Sequence, residues 1–239
     1  MKSDCKSAAK RAVIVGATSG IGKEMALYFA SRGWSVAAIG RRRKLLDELR
    51  LESENISPYE IDIDETDALP DRLETVVGDL GGLDLFVIAA GTGFINNELD
   101  FSKEHETIKT NIAGFSRLVC WSYGVFKRKG GGHIAAITSV QGLTAGALSY
   151  SASKAYQINY IKTIRMMARK ERLNLTVTDI RPGSVDTDMM KGDGHFWIAK
   201  PKRAAEIACK AILNKKKIQY VSHRWIIIGA LLKFISLWG

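Results

Sequence analysis

Tyr150 and Lys154 stand four residues apart in Tyr150-Ser151-Ala152-Ser153-Lys154. On a helix that spacing sets a phenol and an ammonium on one face, one turn apart. A positive charge held beside a phenol favours the phenolate and draws its pKa down from about 10 toward the range of an acid–base catalyst. A carbonyl oxygen that becomes an alcohol needs such a proton donor. Taken alone, the pair also fits a half-buried aromatic beside a solvated amine, so its meaning rests on what the rest of the chain places around it.

A second cluster lies far upstream. Gly16-Ala17-Thr18-Ser19-Gly20-Ile21-Gly22 follows an apolar run at residues 12–17 and opens a helical pattern. There, main-chain N–H groups and the helix dipole can hold a pyrophosphate. Gly16 makes the tight turn, Gly20 admits the phosphate close to the backbone, and Gly22 lets helix pack on strand. A bare glycine turn is the plainer alternative, but its place between strand and helix favours the anion site.

The elements that would hold both clusters read as alternating strands and helices. Short apolar strands are expected at residues 12–17, 36–39, 59–63, 83–90, 134–138 and 175–180, with a further short one at 218–221. Helices are expected from Gly20 to Gly33 and at residues 41–51, 67–77, 103–128 and 149–172. Near-continuous apolar strands separated by helices predict an α/β fold: one Rossmann-type, doubly wound parallel sheet covered on both faces. Neither a repeat nor a low-complexity linker divides the chain, so residues 1–221 are expected to form one domain, followed by an apolar tail at 222–239.

The glycine spacing is Gly-x-x-x-Gly-x-Gly, and downstream come Asn111 in Thr110-Asn111-Ile112-Ala113-Gly114, Ser139 at a strand end, and the Tyr150/Lys154 pair. In that order these motifs resemble the short-chain dehydrogenase/reductase family over roughly residues 11–215. The resemblance implies roles. Tyr150 gives or takes a proton at the substrate oxygen, and Ser139 orients that oxygen. Lys154 lowers the phenol pKa and binds the nicotinamide ribose hydroxyls, while Asn111 holds a water that relays protons from Lys154. Thr18, Ser19 and Ile21 belong to the dinucleotide turn. Asp62 and Ile63 are expected at the adenine edge. Pro182, Gly183, Val185 and Thr187 in Arg181-Pro182-Gly183-Ser184-Val185-Asp186-Thr187 are expected at the carboxamide and pyrophosphate. Ile88-Ala89-Ala90-Gly91 stands where the family has Asn-Asn-Ala-Gly, so the side-chain amides that would brace the sheet are missing, although Ala90 and Gly91 still admit a cofactor closely. The stretch from Ser139 to Tyr150 is slightly shorter than the family pattern.

After the second strand the chain carries Ile39-Gly40-Arg41-Arg42-Arg43, with no carboxylate to receive a ribose 2′-hydroxyl. Guanidinium groups grip a 2′-phosphate through paired hydrogen bonds. NADP(H) rather than NAD(H) is therefore the expected cofactor, with Arg41 and Arg42 as its contacts and Arg43 and Lys44 facing water.

Composition narrows the remaining choices. The 239 residues carry a net charge of +10, yet no nucleic-acid-binding motif accompanies it. Cys5, Cys120 and Cys209 and the four histidines lack metal-ligand spacing, which predicts reduced thiols, no metal site and a cytoplasmic setting. Residues 188–198 read as either a substrate lid or an ordinary surface loop. Residues 225–238 are apolar and bounded by tryptophans, but too short for a bilayer core, which needs about 20 residues. They suit a peripheral membrane contact or a helix covering the cleft or an oligomer interface. The chain reads as an NADP(H)-dependent oxidoreductase interconverting a carbonyl and an alcohol on a hydrophobic, even lipid-like, substrate. The resemblance adds a homodimer or tetramer. The alternative is a catalytically silent nucleotide-binding scaffold of the same fold.

Overall fold

A computed structural model of the chain describes residues 9–186 and 198–221. The expected segments at 188–197 and 222–239, and Thr187, lie outside the described residues. Seven parallel strands form a single sheet: β1 (Arg11–Val15), β2 (Ser35–Gly40), β3 (Ile56–Glu60), β4 (Leu85–Ile88), β5 (Gly131–Ile137), β6 (Asn174–Arg181) and β7 (Ile218–Tyr220). Their spatial order is β3-β2-β1-β4-β5-β6-β7. The chain therefore builds outward from β1 on one side, then returns to start the other half at β4. That reversal opens a crevice at the carboxyl ends of β1 and β4, where such sheets bind ligands.

Both faces of the sheet are covered, because successive side chains on a strand point oppositely. On β1, Ala12 and Ile14 join one apolar cluster, while Val13 and Val15 join the other. The first cluster takes α1 (Gly20–Ala30), α2 (Arg43–Glu52) and α7 (Pro201–Leu213). The second takes α3 (Leu69–Leu80), α5 (Phe115–Lys129) and α6 (Leu148–Lys170). Between β4 and α5 runs α4 (Phe101–Ile108), joined to α5 by a π-helical turn at Lys109–Gly114. Asp100 caps α4 by accepting the Ser102 N–H at 2.9 Å, and Gly81 and Gly130 close α3 and α5 in the left-handed region. Among the described residues no helix is long and apolar enough to cross a membrane.

Three elements differ from the sequence expectation. β3 runs Ile56–Glu60, three residues earlier than the apolar pattern at 59–63 suggested. It is an edge strand, so Pro58, which has no N–H to donate, is tolerated within it. The helix expected over 103–128 is broken by the π turn, where Gly114 passes so close to Ile63 that a Cβ would sit 2.8 Å from its carbonyl oxygen. Residues 201–213, which no large apolar stripe marks, form α7. Its buried face is Ala204, Ala205, Ala208, Cys209, Ala211 and Ile212, small enough to lie close on α1.

Phe126 is fully buried over Gly132 of β5, where any Cβ would run into its ring. Phe126→Ala is expected to cost about 3–5 kcal/mol in urea denaturation, since the flat strand glycine beneath gives nothing to refill the space.

Candidate active site

Gly16 leaves β1 with φ +88°, and its N–H and that of Ala17 both donate to the Ile39 carbonyl, at 2.9 and 3.0 Å. These bonds pin the turn to the end of β2. A Cβ on Gly16 would lie 2.5 Å from the Ala90 nitrogen, and one on Gly22 would collide with the Gly16 carbonyl oxygen. Both glycines are thus required by close approach. Gly20 opens α1 with φ +56°, and Ser19 at the cap makes no side-chain bond to the first turn. The first-turn amides are left for an anion, the arrangement a pyrophosphate needs.

Arg42 leans over this turn from the start of α2. Its Nη2 donates to Ser19 Oγ at 2.6 Å and to Thr18 Oγ1 at 2.7 Å. Arg41 turns the other way, with Nη1 at 3.9 Å from both Asp62 and Asp64. The two adjacent guanidiniums therefore have different partners, although both line the same cleft. Asp62 accepts the Asp64 N–H at 3.0 Å in a local turn and does not line the cleft; Asp64 does, and also accepts the Thr110 hydroxyl at 2.9 Å. Because β3 ends at Glu60, the loop register is shifted and Asp64 faces the cavity. Arg43 pairs with Asp47 at 3.0 Å along α2, and Lys44 is exposed.

From this turn a cleft of about 560 Å³ runs along the strand ends, within the range of cofactor sites. It is lined by Gly16, Thr18, Ser19, Gly20, Ile21, Gly22, Arg41, Arg42, Ile63, Ala90, Gly91, Ser139, Tyr150, Lys154, Pro182, Gly183 and Val185. Phe94 and Ile95 add an apolar wall near Tyr150. Asn111 lies just behind the lining.

Ser139 lies two residues past β5, and its Oγ accepts the Gln141 N–H at 3.1 Å as the chain enters a short 3₁₀ turn, Val140–Leu143. Tyr150 stands in the first turn of α6. Burial pushes its phenol pKa up, against a smaller downward pull from its hydrogen bond to Ser139. The sequence suggested that Lys154 would lower this pKa; in this structure desolvation raises it, and the opposing pull comes from Ser139. Gly93 packs flat on the Tyr150 ring, where a Cβ would sit 2.5 Å away. Lys154 Nζ lies 5.7 Å from the ring centroid and donates to the Ile137 carbonyl at 3.3 Å and to Gln157 Oε1 at 3.0 Å. Burial lowers its pKa to about 8, with Asp179 pulling it back up. Asp179 is itself buried between Thr138 Oγ1 at 2.6 Å and the Arg181 guanidinium at 2.7 Å.

Asn111 braces the chain that leaves β4. Its Oδ1 accepts the Thr92 N–H at 2.9 Å and its Nδ2 donates to the Thr92 carbonyl at 2.7 Å, bracing the chain just past β4. Its Nδ2 also meets Ser153 Oγ at 3.0 Å. Sequence reading missed Asp64, Thr92, Gly93, Ser153, Gln157 and Asp179. For Gln157 a signal existed: it falls in the stripe of Lys154, Gln157, Ile161, Ile164 and Ala168 that α6 buries, so its amide must find partners.

Comparison with known proteins agrees with this geometry. The short chain dehydrogenase family model matches residues 10–195, and the chain belongs to that family. An uncharacterized oxidoreductase of Myxococcus xanthus is 32% identical over 188 residues, covering 75% of this chain and 74% of the relative. A 7beta-hydroxysteroid dehydrogenase of Clostridium sardiniense is 32% identical over 154 residues, 61% of this chain and 59% of the relative. The solved structure of ElxO with NADP bound superposes with a TM-score of 0.80 at 19% identity, covering 91% of this chain and 99% of that one. A 3-ketoacyl-(acyl-carrier-protein) reductase from Brucella melitensis, complexed with NADH, gives 0.78 at 20% identity over 89% and 96%. The protein is thus an NAD(P)-dependent dehydrogenase/reductase.

Lys154 carries its charge into the interior at a cost, since its folded pKa of about 8 lies below the free value of 10.5. Between those values the unfolded chain binds the extra proton, so folding gains from each rise in pH. Lys154→Met is expected to be more stable than wild type at pH 7, and its advantage to shrink by about 1.4 kcal/mol per unit from pH 8 toward 10.5. Urea denaturation at pH 7, 8.5 and 10 checks the sign.

Proposed function

We propose that the protein is an NADPH-dependent reductase, reversible as an alcohol dehydrogenase, acting on a hydrophobic carbonyl compound. The observation that carries this reading is a single cleft lined at one end by Ser139, Tyr150 and Lys154 and at the other by a glycine turn crowned by Arg42. The residues present fit a dinucleotide: close-packed glycines, free first-turn amides of α1, and a guanidinium beside two hydroxyls. A bound nicotinamide ring supplies or receives the hydride.

The chain's own groups handle the oxygen and its proton. Ser139 donates to the substrate oxygen and holds it against Tyr150, which passes it a proton as negative charge develops there. A phenol kept neutral by burial is suited to donate, and the Lys154 ammonium stabilises the phenolate left behind. Lys154 also faces the cleft, where ribose hydroxyls would accept from it. Phe94 and Ile95 favour an apolar substrate body, and the likeness to a hydroxysteroid dehydrogenase supports that class.

Arg42 supports the preference for NADPH. Thr18, Ser19 and Arg42 together offer hydroxyl and guanidinium donors to a 2′-phosphate, whereas Arg41 is turned toward Asp62 and Asp64.

Tyr150→Phe is expected to lose about 10²- to 10⁴-fold in turnover on a ketone and aldehyde panel while binding NADPH as wild type does. Turnover equal to wild type defeats the enzyme reading. Arg42→Glu is expected to weaken NADPH binding roughly 10- to 100-fold while NADH binding changes little, as read by fluorescence titration. Equal losses for both cofactors defeat the assignment of Arg42.

A further inference from the structure

Gln157 is fully buried on the face of α6 that carries Lys154. Its Oε1 accepts from Lys154 Nζ at 3.0 Å, and its Nε2 donates to the main-chain carbonyl of Asn111 at 2.9 Å. Those partners fix which way the amide points: an ammonium only donates and a carbonyl only accepts. The neighbouring positions of the buried stripe, Ile161, Ile164 and Ala168, are apolar and sit in the core. An amide among them is tolerated because both ends are bonded. Its acceptor end meets a charge, and its donor end meets the π turn, a distortion that recurs at functional sites.

We infer that Gln157 is a positioning residue: it ties the Lys154 ammonium to the main chain of the π turn, fixing where that ammonium points and keeping it charged. The inference rests on the role proposed for Lys154 above. The family resemblance places a water between Asn111 and Lys154 to relay protons. Here the same two groups are linked by a carboxamide, which holds them in register but does not hand protons on near neutral pH. Among the described residues, the titratable groups facing Lys154 are Tyr150 on its own helix and Asp179 on β6, the latter engaged by Thr138 and Arg181. The end of β5, the chain after β4 and the π turn present hydroxyl, amide and main-chain groups. Gln157 is the neutral side chain of the set that accepts from the ammonium at 3.0 Å.

The test follows Lys154 in the free protein by NMR of lysines labelled with ¹³C at Cε, its signal assigned from Lys154→Arg. Gln157→Met keeps the side-chain length without the amide, and Gln157→Glu keeps an acceptor and adds charge. The midpoint is expected to fall by about one pH unit in Gln157→Met and to rise by about one in Gln157→Glu. For Gln157→Met, kcat is expected to drop roughly tenfold, its pH profile moving with the midpoint and the carbonyl KM little changed. Gln157→Glu should recover part of the loss. Midpoints within about 0.3 unit of wild type in either variant overturn the inference, so one folded variant decides it. Because the titration uses neither substrate nor cofactor, a wild type inactive on every carbonyl tried would defeat the proposed function and leave this measurement intact. An active wild type with unmoved midpoints would defeat Gln157's role alone.

Discussion

A buried ammonium must be surrounded by acceptors, and much of this site is arranged around that need. Lys154 reaches inward from α6 to the end of β5, where the carbonyl of Ile137, the last paired residue of its strand, receives it. Gln157 supplies the second acceptor, and the Asp179 carboxylate lies within electrostatic range, neutralised in turn by Arg181. Removing one partner from such a set leaves a charge that water no longer solvates, which costs far more than the pair contributes. Helix α6, the π turn and strands β5 and β6 are thereby held in one relation to each other, and Tyr150 is carried with them.

The same constraint links the two ends of the cleft. Gly91 lies where a Cβ would be 3.2 Å from Asn111 Oδ1 and 3.4 Å from Lys154 Nζ, so backbone, amide and ammonium converge just past β4. One residue earlier in the chain, Ala90 meets Gly16 at the end of the neighbouring strand β1 more closely still. Close backbone approach at both points keeps the floor of the cleft flat, as a long planar cofactor requires. Past Ile88 and Ala89, which carry no side-chain amide, Asn111 reaches across to bond both main-chain groups of Thr92. The bracing comes from a helix rather than from the strand itself.

Electrostatics divide the site by function. At the phosphate end the groups are exposed or half-exposed and positively biased, suited to attract an anion from solvent. At the chemical end burial dominates, lifting the Tyr150 phenol and lowering Lys154 to about 8. A neutral acid next to a charged base-stabiliser is an arrangement that proton transfer uses.

What the sequence determined by itself was local in character. The glycine turn, the helical spacing of Tyr150 and Lys154 and the run of apolar strands each need only neighbouring residues to be read, so the α/β class and that pair were legible, while Asn111 and Ser139 were picked out by the resemblance to the family. Tertiary structure alone decided which of two adjacent arginines overlooks the glycine turn, because that depends on where β2 ends and how α2 begins. It also put Asp64 rather than Asp62 in the cleft, since Pro58 disguises the edge strand that sets the loop register. Gln157 became meaningful only when the π turn brought the Asn111 carbonyl to it across 46 residues of chain. Long-range partners of buried polar groups leave no periodic trace; packing selects them.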